Sequence, residues 1–362
     1  MAITALDYLR QLVEPTGVSG AEQDVVRLVT QLARPLADTV EIDPMGNVLA
    51  VRHGSGPDAR RVLLAAHMDE VGLRIRAVED NGFLRFEKVG GSDNRVLLAQ
   101  RVWVGTSAGR ILGVIGVKSA HLATEEDRAA VPHHSLQYID IGAGDGDRAR
   151  SMGVRLGAPA GFVGELAELG AGSGCYTAHA LDDRVGCAVL LAVMDELRRR
   201  PQPVEVIAAF TVQEEVGLRG AQATARRFPF DVGLAIDTTA LDDTPDTNEA
   251  NPHLRLGAGA AVKIMDASLL AHPAVQRELL TAADRAGLTI QQEILMRIGT
   301  DAGALQFGGA GIPAGTVSIG TRYTHSPIEV LDERDLEDAV RLLIAFLGAV
   351  PEMDLRFVVV DE

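Results

Sequence analysis

Several apolar runs in this chain stop abruptly on acidic or histidine side chains. Arg61 to Ala66 leads into His67-Met68-Asp69-Glu70, Val204 to Thr211 leads to Gln213-Glu214-Glu215, and Gly233 to Ile236 ends on Asp237. Asp182-Asp183 and His325 complete the set. Short apolar runs of this kind read as buried strands, and a parallel sheet presents its functional side chains where such strands end. The pattern therefore predicts an α/β architecture with one chemically active edge. Two histidines and several carboxylates brought to that edge have the chemistry to hold a pair of divalent metals.

Length and charge narrow the reading. A chain of 362 residues is long for a single core, so one large domain and a smaller one are expected. The net charge of −16 argues against partners that are nucleic acids or anionic membranes, and 4% aromatic residues leave little for a base-stacking surface. Cys175 and Cys187 are the only cysteines, too few for a disulfide framework, and are expected as free, buried or half-buried thiols. Met1 to Val13 reads as an amphipathic helix rather than a signal peptide, and no stretch is long and apolar enough to span a bilayer. The cytoplasm is the expected location.

The organisation changes twice along the chain. Ser19-Gly20-Ala21-Glu22 fits a capping box that would start a helix through Val25, Leu28, Val29 and Leu32. Strands are expected at residues 40–42, 47–52 and 61–66. Between residues 71 and 162 the runs become short and alternating, as in Leu73-Arg74-Ile75-Arg76-Ala77, with turns such as Asp80-Asn81-Gly82 and Gly90-Gly91-Ser92. That texture reads as a small β-barrel or sandwich. Helices and strands alternate again from Asp183, with Val185, Val189, Ala192, Val193 and Leu197 on one stripe. A last helix from Asp332 to about Gly348 carries Leu336, Val340, Leu343 and Leu347 on one face. The expected organisation is a catalytic domain of residues 1–70 and 163–362, interrupted by a β-rich domain of residues 71–162.

Two metals about 3.5–4 Å apart need a bridging ligand, and a carboxylate with two oxygens suits that role. Asp69 stands two positions after His67, so on a strand both side chains point the same way and the carboxylate could orient a metal-bound imidazole. Glu214 and Glu215, being adjacent, should diverge. One could bind metal while the other takes a proton from the bridging water.

Four segments then resemble those of a known family. They are residues 66–72 (Ala-His-Met-Asp-Glu-Val-Gly), 180–186 (Ala-Leu-Asp-Asp-Arg-Val-Gly), 213–217 (Gln-Glu-Glu-Val-Gly) and 323–329 (Tyr-Thr-His-Ser-Pro-Ile-Glu). Together with Gly299-Thr300-Asp301-Ala302 they look like the signatures of the tetrahedral, glutamyl-aminopeptidase-type metallo-aminopeptidases. The resemblance implies a zinc-exopeptidase-like α/β/α domain with an inserted PDZ-like or barrel-like domain used in assembly, from dimer to dodecamer. It implies that His67, Asp182 and Asp237 bind one metal and Asp182, Glu215 and His325 the other, with Asp182 bridging. Glu214 would be the general base and Asp69 the partner of His67. The cofactor would be two divalent ions per subunit, zinc first, with cobalt or manganese accepted by the same donors. The reaction would remove N-terminal residues from short peptides. One departure is Gly320, where the family commonly has Pro, in a segment that could shape the substrate pocket.

Other readings of the residues remain. A related cocatalytic hydrolase, such as an N-acyl-amino-acid deacylase or a carboxypeptidase, shares the same His, Asp and Glu-Glu logic, and a non-catalytic scaffold would retain the fold alone. A glycosidase would need two carboxyls flanking a sugar bond rather than metals. His179 reads as a structural neighbour, and Asp242, Asp243 and Asp246 as a solvated loop.

Overall fold

The computed structural model describes residues 3–56, 59–245 and 254–358. Its long apolar runs lie at the centre of an eight-stranded sheet. The strand order is Thr39–Ile42, Val48–Arg52, Glu205–Thr211, Arg61–His67, Val232–Ala240, Ala314–Thr321, Ala261–Asp266 and Gln291–Leu295. Four neighbours in the middle, from Glu205–Thr211 to Ala314–Thr321, pair in parallel, so their C-terminal ends reach the same edge. Register aligns that edge: Thr211 pairs with His67 and Asp237 with Ser318.

The apolar runs are continuous because helices cover both faces. Val62, Leu64 and Ala66 pack toward one helical layer that includes Val185, Val189, Leu336 and Leu343. Leu63 and Ala65 point the other way, toward Ala221, Ala225, Ala304 and Leu305. The result is an α/β/α sandwich. The helix Leu181–Arg199 was expected to bury one stripe, but every residue from Leu181 to Met194 is buried. It is packed between the sheet and the helices Ala5–Leu12 and Glu333–Ala349, so it has no solvent face over that length. No helix among the described residues is long and apolar enough to cross a membrane.

The alternating segment forms a closed six-stranded barrel. Its order is Gly72–Val78, Leu84–Val89, Ile139–Asp140, Gly109–Ile115, Arg101–Thr106 and Pro159–Phe162, which returns to Gly72–Val78. Leu73, Ile75, Phe86, Val102, Val104 and Phe162 fill it. Arg74 reaches back from the barrel to donate to the Ser19 carbonyl at 3.0 Å. Gly161 lies against Thr16, where a Cβ would come within 2.9 Å of Thr16 Cγ2.

One local expectation fails. The helix Gln23–Ala33 does form, but Glu22 is its N-cap residue and no side chain caps it. The Ser19 and Glu22 side chains turn to the sheet edge instead, where buried amides and a carboxylate need partners more than an exposed helix end does.

Candidate metal centre

All seven residues expected at the site come together at the edge of the sheet. His67 ends its strand, while Asp237 lies inside Val232–Ala240 rather than at its end. Glu214 and Glu215 follow the strand Glu205–Thr211 in a turn, and His325 lies between Ala314–Thr321 and Glu329–Asp332. Asp182 is carried not by a strand but by the first turn of Leu181–Arg199, where Asp182 and Asp183 leave helical backbone angles. Ala180, Gln213, Tyr323 and His325 have φ between 54° and 63°, a left-handed conformation in which non-glycine residues need support from their surroundings.

Asp182 is central. Its Oδ1 is 3.2 Å from His67 Nε2, and its Oδ2 is 3.3 Å from His325 Nε2. Asp237 Oδ1 lies 3.9 Å from His67 Nε2, and Glu215 Oε1 lies 3.2 Å from His325 Nε2. Two triads result, His67-Asp182-Asp237 and Asp182-Glu215-His325, each with ligand atoms within 4.8 Å of one another. Glu214 belongs to neither, though its Oε2 approaches His67 Nε2 at 3.8 Å.

Both imidazoles are oriented through Nδ1. His325 Nδ1 is 2.6 Å from the carbonyl of Gly91, a residue of the barrel side of the molecule. His67 Nδ1 is 3.0 Å from the main-chain carbonyl of Asp69 and 3.5 Å from that residue's carboxylate. A carbonyl only accepts, so each Nδ1 carries the proton and each Nε2 faces the carboxylates. The expected partnership of Asp69 with His67 is thus made more closely by its main chain than by its side chain. The chain leaves the strand at His67, so Asp69 no longer shares its direction. The Asp69 carboxylate accepts instead from Ser19 Oγ at 2.6 Å and from the amides of Glu214 and Glu215 at 2.9 and 3.2 Å.

The electrostatics show an excess of buried negative charge. Burial pushes Glu214 and Asp237 well above the carboxylate range against the opposing pull of His67, and their acidic neighbours add to the rise. Burial likewise raises Asp301, to about 6. Burial works against protonation of His67 and His325, but the surrounding carboxylates prevail; His67 rises well above its ordinary value and His325 is pushed up to about 12. Glu215 Oε1, close as it is to His325 Nε2, makes no hydrogen bond. Imidazole nitrogens and carboxylate oxygens that converge in this way, in a crowd of acids, fit divalent cations.

Sequence reasoning missed several supporting groups. Glu329 accepts from the amides of Asp182 at 3.0 Å and His325 at 2.6 Å, and so ties both triads together. Asp183 accepts from the His67 amide at 3.1 Å and the Gly186 amide at 2.9 Å. Asp301 accepts from Thr211 Oγ1 at 2.5 Å, with its second oxygen unpartnered. These three carboxylates stood inside the quoted motifs, so their type and place were visible. The Gly91 carbonyl had no sequence signal, since a main-chain oxygen is the same in every residue. His179 is buried 3.6 Å from Glu70 and joins neither triad. Asp243 pairs with Arg322 at 2.6 Å rather than facing only solvent, and Asp246 lies outside the described residues.

The cleft over the triads measures about 560 Å³ and is also lined by Gly217, Leu218, Thr238, Ala240, Arg297 and Ile298. Thr324 and His325 line it too, but Gly320 does not; it sits in a strand with the Leu241 side chain packed over it.

The profile of the M42 glutamyl aminopeptidase family matches residues 46–342. The chain belongs to that family. It is accordingly a peptide-bond hydrolase, and M42 peptidases are metal-dependent. A lysyl aminopeptidase of Pyrococcus furiosus is 31% identical over 96% of this chain and 98% of its own length. Among solved structures, the aminopeptidase APDkam598 of the archaeon Desulfurococcus kamchatkensis is 40% identical, covers 95% of this chain and 94% of its own, and superposes with a TM-score of 0.89. The TET1 peptidase of Pyrococcus horikoshii, which assembles into a tetrahedron or a large octahedral shell, is 33% identical with a TM-score of 0.85. It covers 95% of this chain and 99% of its own.

Proposed function

We propose that this M42 peptidase is a dinuclear metal-dependent aminopeptidase that removes N-terminal residues from short peptides. The observation that carries the reading is the Asp182 carboxylate, which turns one oxygen to His67 and the other to His325. His67, Asp182 and Asp237 would hold one ion, and Asp182, Glu215 and His325 the second. When bound, such a pair supplies Lewis-acid polarisation of the scissile carbonyl and acidifies an attacking water.

The remaining work falls to the chain's own residues. Glu214 takes the proton of the attacking water at its carboxylate and delivers it to the leaving amine. Burial raises its pKa and improves it as a proton acceptor near neutral pH. The Asp69 and Gly91 carbonyls hold the two imidazoles by Nδ1, and Glu329 holds the backbone of Asp182 and His325. Acidic groups at the cleft receive the substrate's free α-amine.

Replacing Glu214 with Gln should leave two ions per chain while turnover on an aminoacyl-anilide falls by about 10²–10⁴-fold. Near-normal turnover with metals retained would remove the base from this scheme.

Residues 71–162 would act as an inserted assembly domain. Val117, Leu122, Val131 and Leu136 are large apolar side chains exposed on that side, more than a monomer ordinarily leaves in one region. Subunits would associate through it, from dimers to shells like that of the Pyrococcus horikoshii relative. Light scattering that gives a monomeric mass at working concentration would reject this.

A further inference from the structure

The segment Ser19-Gly20-Ala21-Glu22 has the pattern of a helix capping box, yet its side chains serve the acidic turn instead. Glu22 Oε1 accepts from the Gly20 amide at 2.7 Å and from the Gln213 amide at 3.2 Å, across 191 positions of sequence. Ser19 Oγ donates to Asp69 Oδ2, and Asp69 accepts from the amides of Glu214 and Glu215. Three consecutive amides, those of residues 213, 214 and 215, therefore end on two carboxylates. Ser19 and Glu22 are each only 5% exposed.

The carbonyl side of the same turn is held locally. Gly217 and Leu218 donate to the Glu214 carbonyl, and Arg219 donates to that of Gln213. Nothing local holds the amide side. Gln213 also has φ of 56°, which a side chain with a Cβ keeps only when its surroundings impose it. Neighbouring carboxylates must point apart here, Glu215 to His325 and Glu214 into the cleft, its Oε2 3.8 Å from His67 Nε2. A small rotation of the turn would exchange or blunt those directions.

We propose that Ser19 and Glu22 are positioning residues for the reaction. With Asp69 they form a clamp on the amides of residues 213–215 and so aim the Glu214 carboxylate into the cleft. The inference rests on Glu214 as the general base. Glu22 acts as a hydrogen-bond acceptor, not as a charge. The device places an N-terminal segment in control of a base far along the chain, at the cost of an uncapped helix.

The test uses the full-length enzyme reconstituted with zinc and an aminoacyl-anilide substrate. Glu22→Ala and Ser19→Ala should each lower kcat by about 10–100-fold, as expected for a misaimed catalytic group, with KM within about threefold. Metal content should stay at the parental value. Glu22→Gln keeps the Oε1 acceptor and should recover kcat to within about threefold. In a Glu214→Gln background, Glu22→Ala should cost nothing further, because the group it aims is gone.

Parental kcat in both alanine variants would overturn the clamp. So would a Glu22→Gln variant as slow as Glu22→Ala, or a further loss in the Glu214→Gln background. Alanine variants that lose metal and regain full kcat on added zinc would assign the effect to ligand affinity and overturn it too. If Glu214→Gln alone keeps near-normal turnover, the base assignment fails. If that variant is slow and the Ser19 and Glu22 variants are not, only the clamp fails.

Discussion

Along the barrel strand Gly72–Val78, Leu73 and Ile75 are sealed inside while Arg74 is half-buried and Arg76 exposed. Along the sheet edge, His67, Asp69, Asp182, Asp183, Asp237, Asp301 and Glu329 are all buried. The barrel interior is filled by apolar side chains, which need nothing beyond packing. The sheet edge gathers acids whose pKa is raised first by burial and then by their acidic neighbours, and which face inward without enough counter-charge. Burying charge is costly unless it is paired. A fold that does so at one edge, and avoids it in the neighbouring barrel, concentrates its functional electrostatics in a single place.

The largest expected effect comes from removing the shared carboxylate. Asp182→Ala should lower bound metal per chain and reduce turnover by about 10³-fold or more, the scale of a lost metal-assisted step. Metal analysis beside an aminoacyl-anilide assay would check it, and a variant keeping two ions and a tenth of the turnover would contradict the comparison.

Stripping the metals should expose the crowd of acids through pH. Burial raises Glu214, Asp237, Asp183 and Glu329, and carboxylate neighbours raise His67 and His325 despite burial. A group with a raised folded pKa binds its proton more firmly in the folded chain. Its stabilising effect is complete below its ordinary pKa and is lost as pH rises through the folded value. Asp69 and Asp182 are shifted the other way, so they matter only below about pH 4. Stripped enzyme should therefore unfold at falling temperatures as pH increases from about 5 to 8. The gap to the metal-loaded enzyme should widen over that range. Thermal scans with and without chelator would reveal a constant gap if the acids were not uncompensated.

In the barrel, truncation should act on stability alone. Phe86 is fully buried there, and Phe86→Ala should cost about 3–5 kcal/mol in denaturant unfolding, while kcat per folded chain stays near the parental value. An equal loss of turnover would mean that the barrel does more at the site than offer the Gly91 carbonyl. The smallest effect belongs to the exposed barrel helix Gly146–Ser151. Arg150→Ala breaks a solvent-exposed pair with Asp147 and should change stability by less than about 0.5 kcal/mol.

Much of the fold was legible because burial imposes period. The continuous runs before His67 and Asp237 and the alternation from residue 73 each report how many faces of a strand are covered. The helix Glu333–Ala349 was likewise readable from spacing, with Asp332 its N-cap rather than its first residue. The Ser19–Glu22 pattern misled for a physical reason. A capping box and a pair of buried hydrogen-bonding groups require the same residue types, and only the approach of Gln213 and Asp69 decides between them. The same holds for Asp69, whose main-chain oxygen, not its side chain, is the nearer neighbour of His67.

By itself the sequence determined which side chains gather at the sheet edge and that the strands leading to several of them could bury both faces. Those facts depend on residue type and local period, which the chain states directly. The tertiary structure alone decided that Asp182 faces two histidines at once, and that Glu329 ties their backbones together. It alone placed a barrel carbonyl on His325 and an N-terminal serine and glutamate behind the acidic turn. Each of these is a contact between segments far apart in sequence, several of them through backbone atoms that every residue shares, so their geometry exists only once the chain has closed on itself.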